Sequence, residues 1–147
     1  MNVKLNHILV VEDNENDLEL TLDALNSRNL ANDIAVARDG AEALDYIFSR
    51  GKWADRNTGN PAVILLDLKL PKISGLEVLK QLRDNEATKL VPVVILTSSN
   101  EEKDIIEGYR LGTNAYVVKP VVFSDFMNAV ELLGTFWALI NEPPARE

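Results

Sequence analysis

At 147 residues the chain has the length of one domain, and 46% apolar with 26% charged residues is the balance of a core under a solvated skin. The absence of cysteine excludes disulfide scaffolds, thiolate metal sites and cysteine nucleophiles, and a single histidine, His7, excludes any site built on two imidazoles. A formal charge of −8 argues against a nucleic-acid surface or an anionic membrane as partner. There is no signal-peptide pattern and no apolar run of the ~20 residues that span a bilayer, so a cytoplasmic, soluble protein is expected.

In chain order, short β-branched runs alternate with amphipathic ones. His7–Val11 predicts the first strand, and Leu18, Leu22 and Leu25 mark the buried stripe of the first helix. Ile34–Ala37 predicts the second strand, and Leu44, Ile47 and Phe48 the second helix. Residues 51–61 then form a polar stretch rich in turn formers, longer than most connections of this kind. Val63–Leu66 predicts the third strand, with Leu76, Leu79 and Leu82 on the third helix. Val93–Leu96 predicts the fourth strand. Ser99 and Glu102 read as a capping box opening a fourth helix that carries Ile105 and Tyr109 and stops at Gly112. Ala115–Val118 predicts the fifth strand, and Phe126, Val130 and Leu133 the fifth helix. None of these strands alternates apolar with polar, which suits strands covered on both faces. Five strands alternating with five helices predict a doubly wound parallel α/β sheet. Residues 1–141 are expected to form one domain with an insertion near 51–61, and 142–147 a short fraying tail.

Ligands of open α/β sheets sit beyond the carboxyl ends of the strands. There the sequence puts Glu12 and Asp13, Asp67, Thr97, and Lys119. Three clustered carboxylates call for a hard divalent cation, and Mg²⁺ takes oxygen ligands of this kind. With that cation and Lys119 the local formal charge is zero, which prepares one carboxylate for a dianionic phosphoryl group. Taken singly, each residue has a plainer reading: a helix cap, a turn former, a strand-end hydroxyl, a solvated charge. Their co-occurrence at four strand ends favours the site. His7 enters the first strand at the far end and reads as structural.

The segments Val10–Asp13, Leu65–Pro71 with Gly75, Val93–Ser98 and Ala115–Pro120 closely resemble the receiver domains of two-component response regulators, with order and spacing kept over residues 6–134. The resemblance implies a flavodoxin-like sheet in the order 2-1-3-4-5. It implies Asp67 as phosphoacceptor, Glu12 and Asp13 with Asp67 and the Lys69 backbone carbonyl as metal ligands, Thr97 as switch hydroxyl, Tyr116 as switch aromatic, and Lys119 as the cation on the phosphoryl oxygens. The Lys119–Pro120 bond is usually cis in such domains. The donor would be a histidine kinase, and the changed face would be the fourth helix, fifth strand and fifth helix. The 51–61 insertion, the lack of an output domain and Phe136-Trp137 more narrowly resemble the stand-alone regulators associated with phytochromes, which implies a photoreceptor kinase as partner. Phe136 and Trp137 read first as core and second as an interface anchor, and on the second reading a homodimer is expected.

Three positions depart from the common pattern: Lys69 beside the acceptor, the short Ser99 after the switch, and Val122 where a helix-capping hydroxyl is common. Lys69 also removes the rival reading of an aspartate-nucleophile phosphatase, which needs a second Asp at that position. Glu12-Asp13 opposes a flavin carrier, whose phosphate it would repel. A receiver-like interaction module that works without phosphorylation is the remaining alternative.

Overall fold

A computed structural model of the chain describes residues 7–27, 33–56, 59–97, 102–113 and 115–118, with the backbone alone at 24, 27, 97, 102–104 and 115–118. The strands are β1 (Ile8–Val11), β2 (Ile34–Ala37), β3 (Val63–Leu66), β4 (Val93–Thr97) and β5 (Ala115–Val118). The helices are α1 (Glu15–Ser27), α2 (Gly40–Ile47), α3 (Gly75–Asp84) and α4 (Glu102–Arg110), with a 3-10 turn at Gly51–Trp53. The expected fifth helix, Val122, the Lys119–Pro120 bond, Phe136-Trp137 and the tail lie outside the described residues. No helix among the described residues is long and apolar enough to cross a membrane.

The five strands form one parallel sheet in the order β2-β1-β3-β4-β5, as the resemblance implies. All four residues of β1 and of β3 are buried, because helices cover both faces of the two central strands. Period-two alternation sorts their side chains into two cores. Leu9, Val11, Ile64, Leu66 and Ile95 pack with Leu44, Ile47, Leu79 and Leu82 of α2 and α3. Ile8, Val10, Val63, Leu65, Val94 and Leu96 pack with Leu18 and Leu25 of α1.

Helix ends are set by local chemistry. The Asn14 side chain accepts the Asp17 N–H (2.9 Å), Asp39 that of Glu42 (2.7 Å), and Ser74 that of Glu77 (3.2 Å), so α1, α2 and α3 all open on side-chain caps. Gly112 ends α4 as expected: at φ +90° its N–H reaches Tyr109 O (3.0 Å) while Thr113 N–H reaches Gly108 O (3.1 Å). The same closure ends α2 with Ser49 in the left-handed position, where φ is 54°. Phe48 is the terminal cap of α2 and, half-buried, still packs against the same core as Leu44 and Ile47. On α4 the expected apolar pair is split. Ile105 is half-buried, but Tyr109 is 54% exposed, because the helix turns Ile105 and Gly108 inward.

The 51–61 insertion is anchored by Arg56. Its guanidinium donates to the carbonyls of Tyr46 (2.8 Å), which also accepts the Ser49 N–H, and Ile47 (3.0 Å) at the end of α2, and to Gly59 O (2.6 Å). It also lies 4.3 Å from the centre of the Tyr46 ring. Tyr46 in turn meets Trp53 (5.3 Å) and buried His7 (6.1 Å) edge to face.

Candidate functional site

The sheet register brings the acidic residues together. Val11 pairs with Ala37 on one side and with Leu66 on the other, so β1, β2 and β3 end level. The ladder continues one step further on each side: Glu12 N–H bonds Ala37 O (3.0 Å), and Asp67 N–H bonds Val11 O (3.1 Å). Glu12 and Asp67 thus leave neighbouring strands at the same height, and Asp13 follows from the first. Oxygen atoms of all three carboxylates lie within 4.8 Å of one another.

Their surroundings differ. Glu12 (4% exposed) and Asp67 (6%) are buried, whereas Asp13 is open to solvent. Glu12 Oε2 accepts the Asn14 N–H (3.1 Å), and Asp67 Oδ1 accepts the Lys69 N–H (3.1 Å). Each backbone bond fixes a carboxylate that repulsion would otherwise turn away from its neighbours. The set consists of hard oxygen donors, two of the three withdrawn from water, at a spread that one divalent cation spans; the residues present fit such an ion. The Lys69 side chain is exposed, and its backbone turns back onto the Asp67 carboxylate.

Of the other predicted residues, Thr97 ends β4 in register with Val118, and Tyr116 pairs with Ile95. Both are placed by backbone alone. Lys119 and Ser99 lie outside the described residues. His7 sits just before β1, at the opposite end of the sheet from the acids. A cavity of about 240 Å³ beside Arg56, Asn60 and Thr88 lies at that far end too, away from the carboxylates.

The loop that carries Asp67 is held by Gly75, already part of the motif, and by features with no signal in the sequence pattern, Gly40 and Lys72. Gly75 opens α3 so close to β3 that a Cβ would stand 2.2 Å from Asp67 O. Gly40 opens α2 against the same loop, where a Cβ would stand 1.9 Å from Ile73 O. Between them Lys72 takes φ 67°, unusual for a residue with a side chain, and reaches Asp39 Oδ2 at 3.3 Å. The Glu42 N–H bond, seconded by Lys72, holds the Asp39 carboxyl below its usual range. Arg38, next to it, pairs with Glu15 at the start of α1, and that carboxylate raises the guanidinium further.

Residues 8–131 match the family model described as response regulator receiver domain. The chain is 36% identical over 130 residues to Response regulator Rcp1 of Synechocystis, covering 88% of this chain and 87% of that one. The Mn²⁺-bound form of Rcp1 superposes with a TM-score of 0.88 at 34% identity, over 95% of this chain and 99% of that one. A phosphorylated cyanobacterial phytochrome response regulator, RcpA, gives 0.88 at 35% identity with the same coverage. The bacteriophytochrome response regulator AtBRR is 56% identical, with a TM-score of 0.75, again over 95% of this chain and 99% of that one.

Proposed function

We propose that this chain, which belongs to the response regulator receiver domain family and is related to phytochrome response regulators, is a phosphorylated switch. Its residues 1–141 act as one receiver domain. Asp67 accepts a phosphoryl group from a phosphohistidine of a histidine kinase, of the photoreceptor class that the relatives' names suggest. The Asp67 oxygen bonds to phosphorus in line, the N–P bond breaks, and the imidazole leaves with the electron pair. The observation that carries this reading is the carboxylate trio within 4.8 Å at level strand ends.

Glu12, Asp13, Asp67 and the Lys69 carbonyl would hold Mg²⁺. When bound, that ion supplies charge neutralisation at the carboxylates and at the incoming phosphoryl oxygens. The chain's own residues do the positioning. The Lys69 N–H restrains the Asp67 carboxylate by one oxygen, and burial of Glu12 and Asp67 strengthens every charge interaction around them. Lys119 pairs with the transferred group, and the Thr97 hydroxyl donates to it. Such a hydrogen bond to a charged acceptor is worth ~1.5–3 kcal/mol, roughly 10- to 150-fold in a two-state equilibrium. Drawing Thr97 toward the phosphoryl group shifts the end of β4, Tyr116 follows that shift, and the face formed by α4, β5 and the fifth helix becomes the partner or homodimer surface. Ile106 and Tyr109 on α4, 57% and 54% exposed, suit that use.

Incubation with acetyl phosphate and Mg²⁺, read by intact mass and by sedimentation, tests the reading. The wild-type chain gains one phosphoryl group and self-associates, and Asp67→Asn gains none. Labelling of Asp67→Asn to the wild-type level would overturn the assignment. A folded wild-type chain that stays unlabelled would leave a phosphorylation-independent interaction module.

A further inference from the structure

The two loops that meet at the trio are tied to each other a second time, at their outer side, by residues 37–40. Ala37 O accepts the Glu12 N–H (3.0 Å), and Arg38 pairs with Glu15, so this segment holds the loop after β1. Gly40 N–H reaches Pro71 O (3.4 Å), and Asp39 pairs with Lys72, so it also holds the loop after β3. Steric contact reinforces the second link, since nothing larger than glycine fits at position 40 beneath Ile73 O. Lys72 keeps a left-handed backbone that L side chains disfavour, which persists only where the surroundings over-determine it. The Asp39 side chain, 16% exposed, is a fixed anchor, and the Lys72 side chain, 67% exposed, closes onto it.

We propose that Ala37–Gly40 is a strut setting the separation between the two halves of the carboxylate trio, with Asp39 and Lys72 as its positioning pair. The inference rests on the reading of the trio as a cation site. Neither residue touches the cation. They act through the β3–α3 loop, so that loosening the pair lets Asp67 drift from Glu12 and Asp13.

Calorimetric titration of the full chain with Mg²⁺ tests this. An ion pair of this exposure couples by a factor of about 1.5–5, so Lys72→Met and Asp39→Asn each weaken Mg²⁺ binding about two- to five-fold. The double variant is no weaker than the singles, because both remove one interaction. Lys72→Arg restores wild-type affinity, and the gap between wild type and Lys72→Met closes at high salt, which a purely structural defect would not do. Lys72→Gly, relieved of its backbone strain, keeps or raises the melting temperature yet loses affinity like Lys72→Met. Unchanged affinity in Lys72→Met, beside a wild-type chain that binds, overturns the strut alone. A wild-type chain that binds no Mg²⁺ overturns the cation site and the strut with it.

Discussion

Asp39 does two jobs with one carboxylate: it caps α2 through the Glu42 N–H and it receives Lys72. Both favour its charged form, so its folded pKa lies below the unfolded value. The sign of the linkage follows: its contribution is complete above the unfolded value of ~3.9 and is lost as pH falls through the lower folded one. Asn caps helices as well as Asp does but does not titrate. Asp39→Asn is therefore expected to be less stable than wild type at neutral pH, with the deficit narrowing below pH ~4; denaturant titrations at both pH values check this. A deficit that stays constant into acid would mean that the charge of the carboxylate is not its source. Asp39 and Lys72 had no signature in the sequence, since their meeting depends on how the loop after β3 folds back. The acids were legible for the opposite reason. Residues that follow parallel strands of equal register must emerge side by side, and apolar runs ending in Glu12-Asp13 and Asp67 are visible in the sequence.

Among the elements, the strands are the most legible, because a β-branched run buried on both faces has few other uses. Periodicity was weaker where one turn decides the outcome. It marks Tyr109 as a partner of Ile105 on α4, yet i and i+4 share a face only within the width of the stripe, and Gly108 takes the inner place. The insertion at 51–61 reads in the sequence as a plain polar loop because its order comes from a side chain bonding backbone far away, which no spacing rule encodes. Arg56 bonds two carbonyls at the end of α2 and a third, Gly59 O, in the insertion itself, and lies over Tyr46. Lysine cannot reproduce that planar fork. Arg56→Lys is expected to cost about 2–4 kcal/mol, since a net ~1 kcal/mol attaches to each bond and the Ile47 carbonyl is left unmet. The change should appear in thermal melts and as a loss of near-UV signal from the Tyr46–Trp53 pair. A variant with wild-type melting would show that water replaces the guanidinium without penalty.

For the molecule as a whole, a charge of −8 and three carboxylates within 4.8 Å mean that the ion-free fold holds its candidate site against repulsion. At that separation two unit charges oppose one another by ~1 kcal/mol even in water, and more where Glu12 and Asp67 are buried. Asp13, exposed and without a structural role in either core, is the member whose charge is removed with least other damage. Asp13→Asn is therefore expected to raise ion-free stability by about 1 kcal/mol, a few degrees of melting temperature for a chain of this size. The same change removes a ligand, so the order reverses when metal is added. A cation that binds only the folded chain stabilises it by ~2.7 kcal/mol at a hundred times its dissociation constant, and the variant forfeits most of that. Melting curves of both proteins with chelator and with excess Mg²⁺ should therefore cross. Had the trio been a solvated acidic surface, Asp13→Asn would shift both curves alike and Mg²⁺ would distinguish nothing. A crossing ties instability without the ion to affinity for it, because the repulsion that the cation relieves is the one the substitution removes.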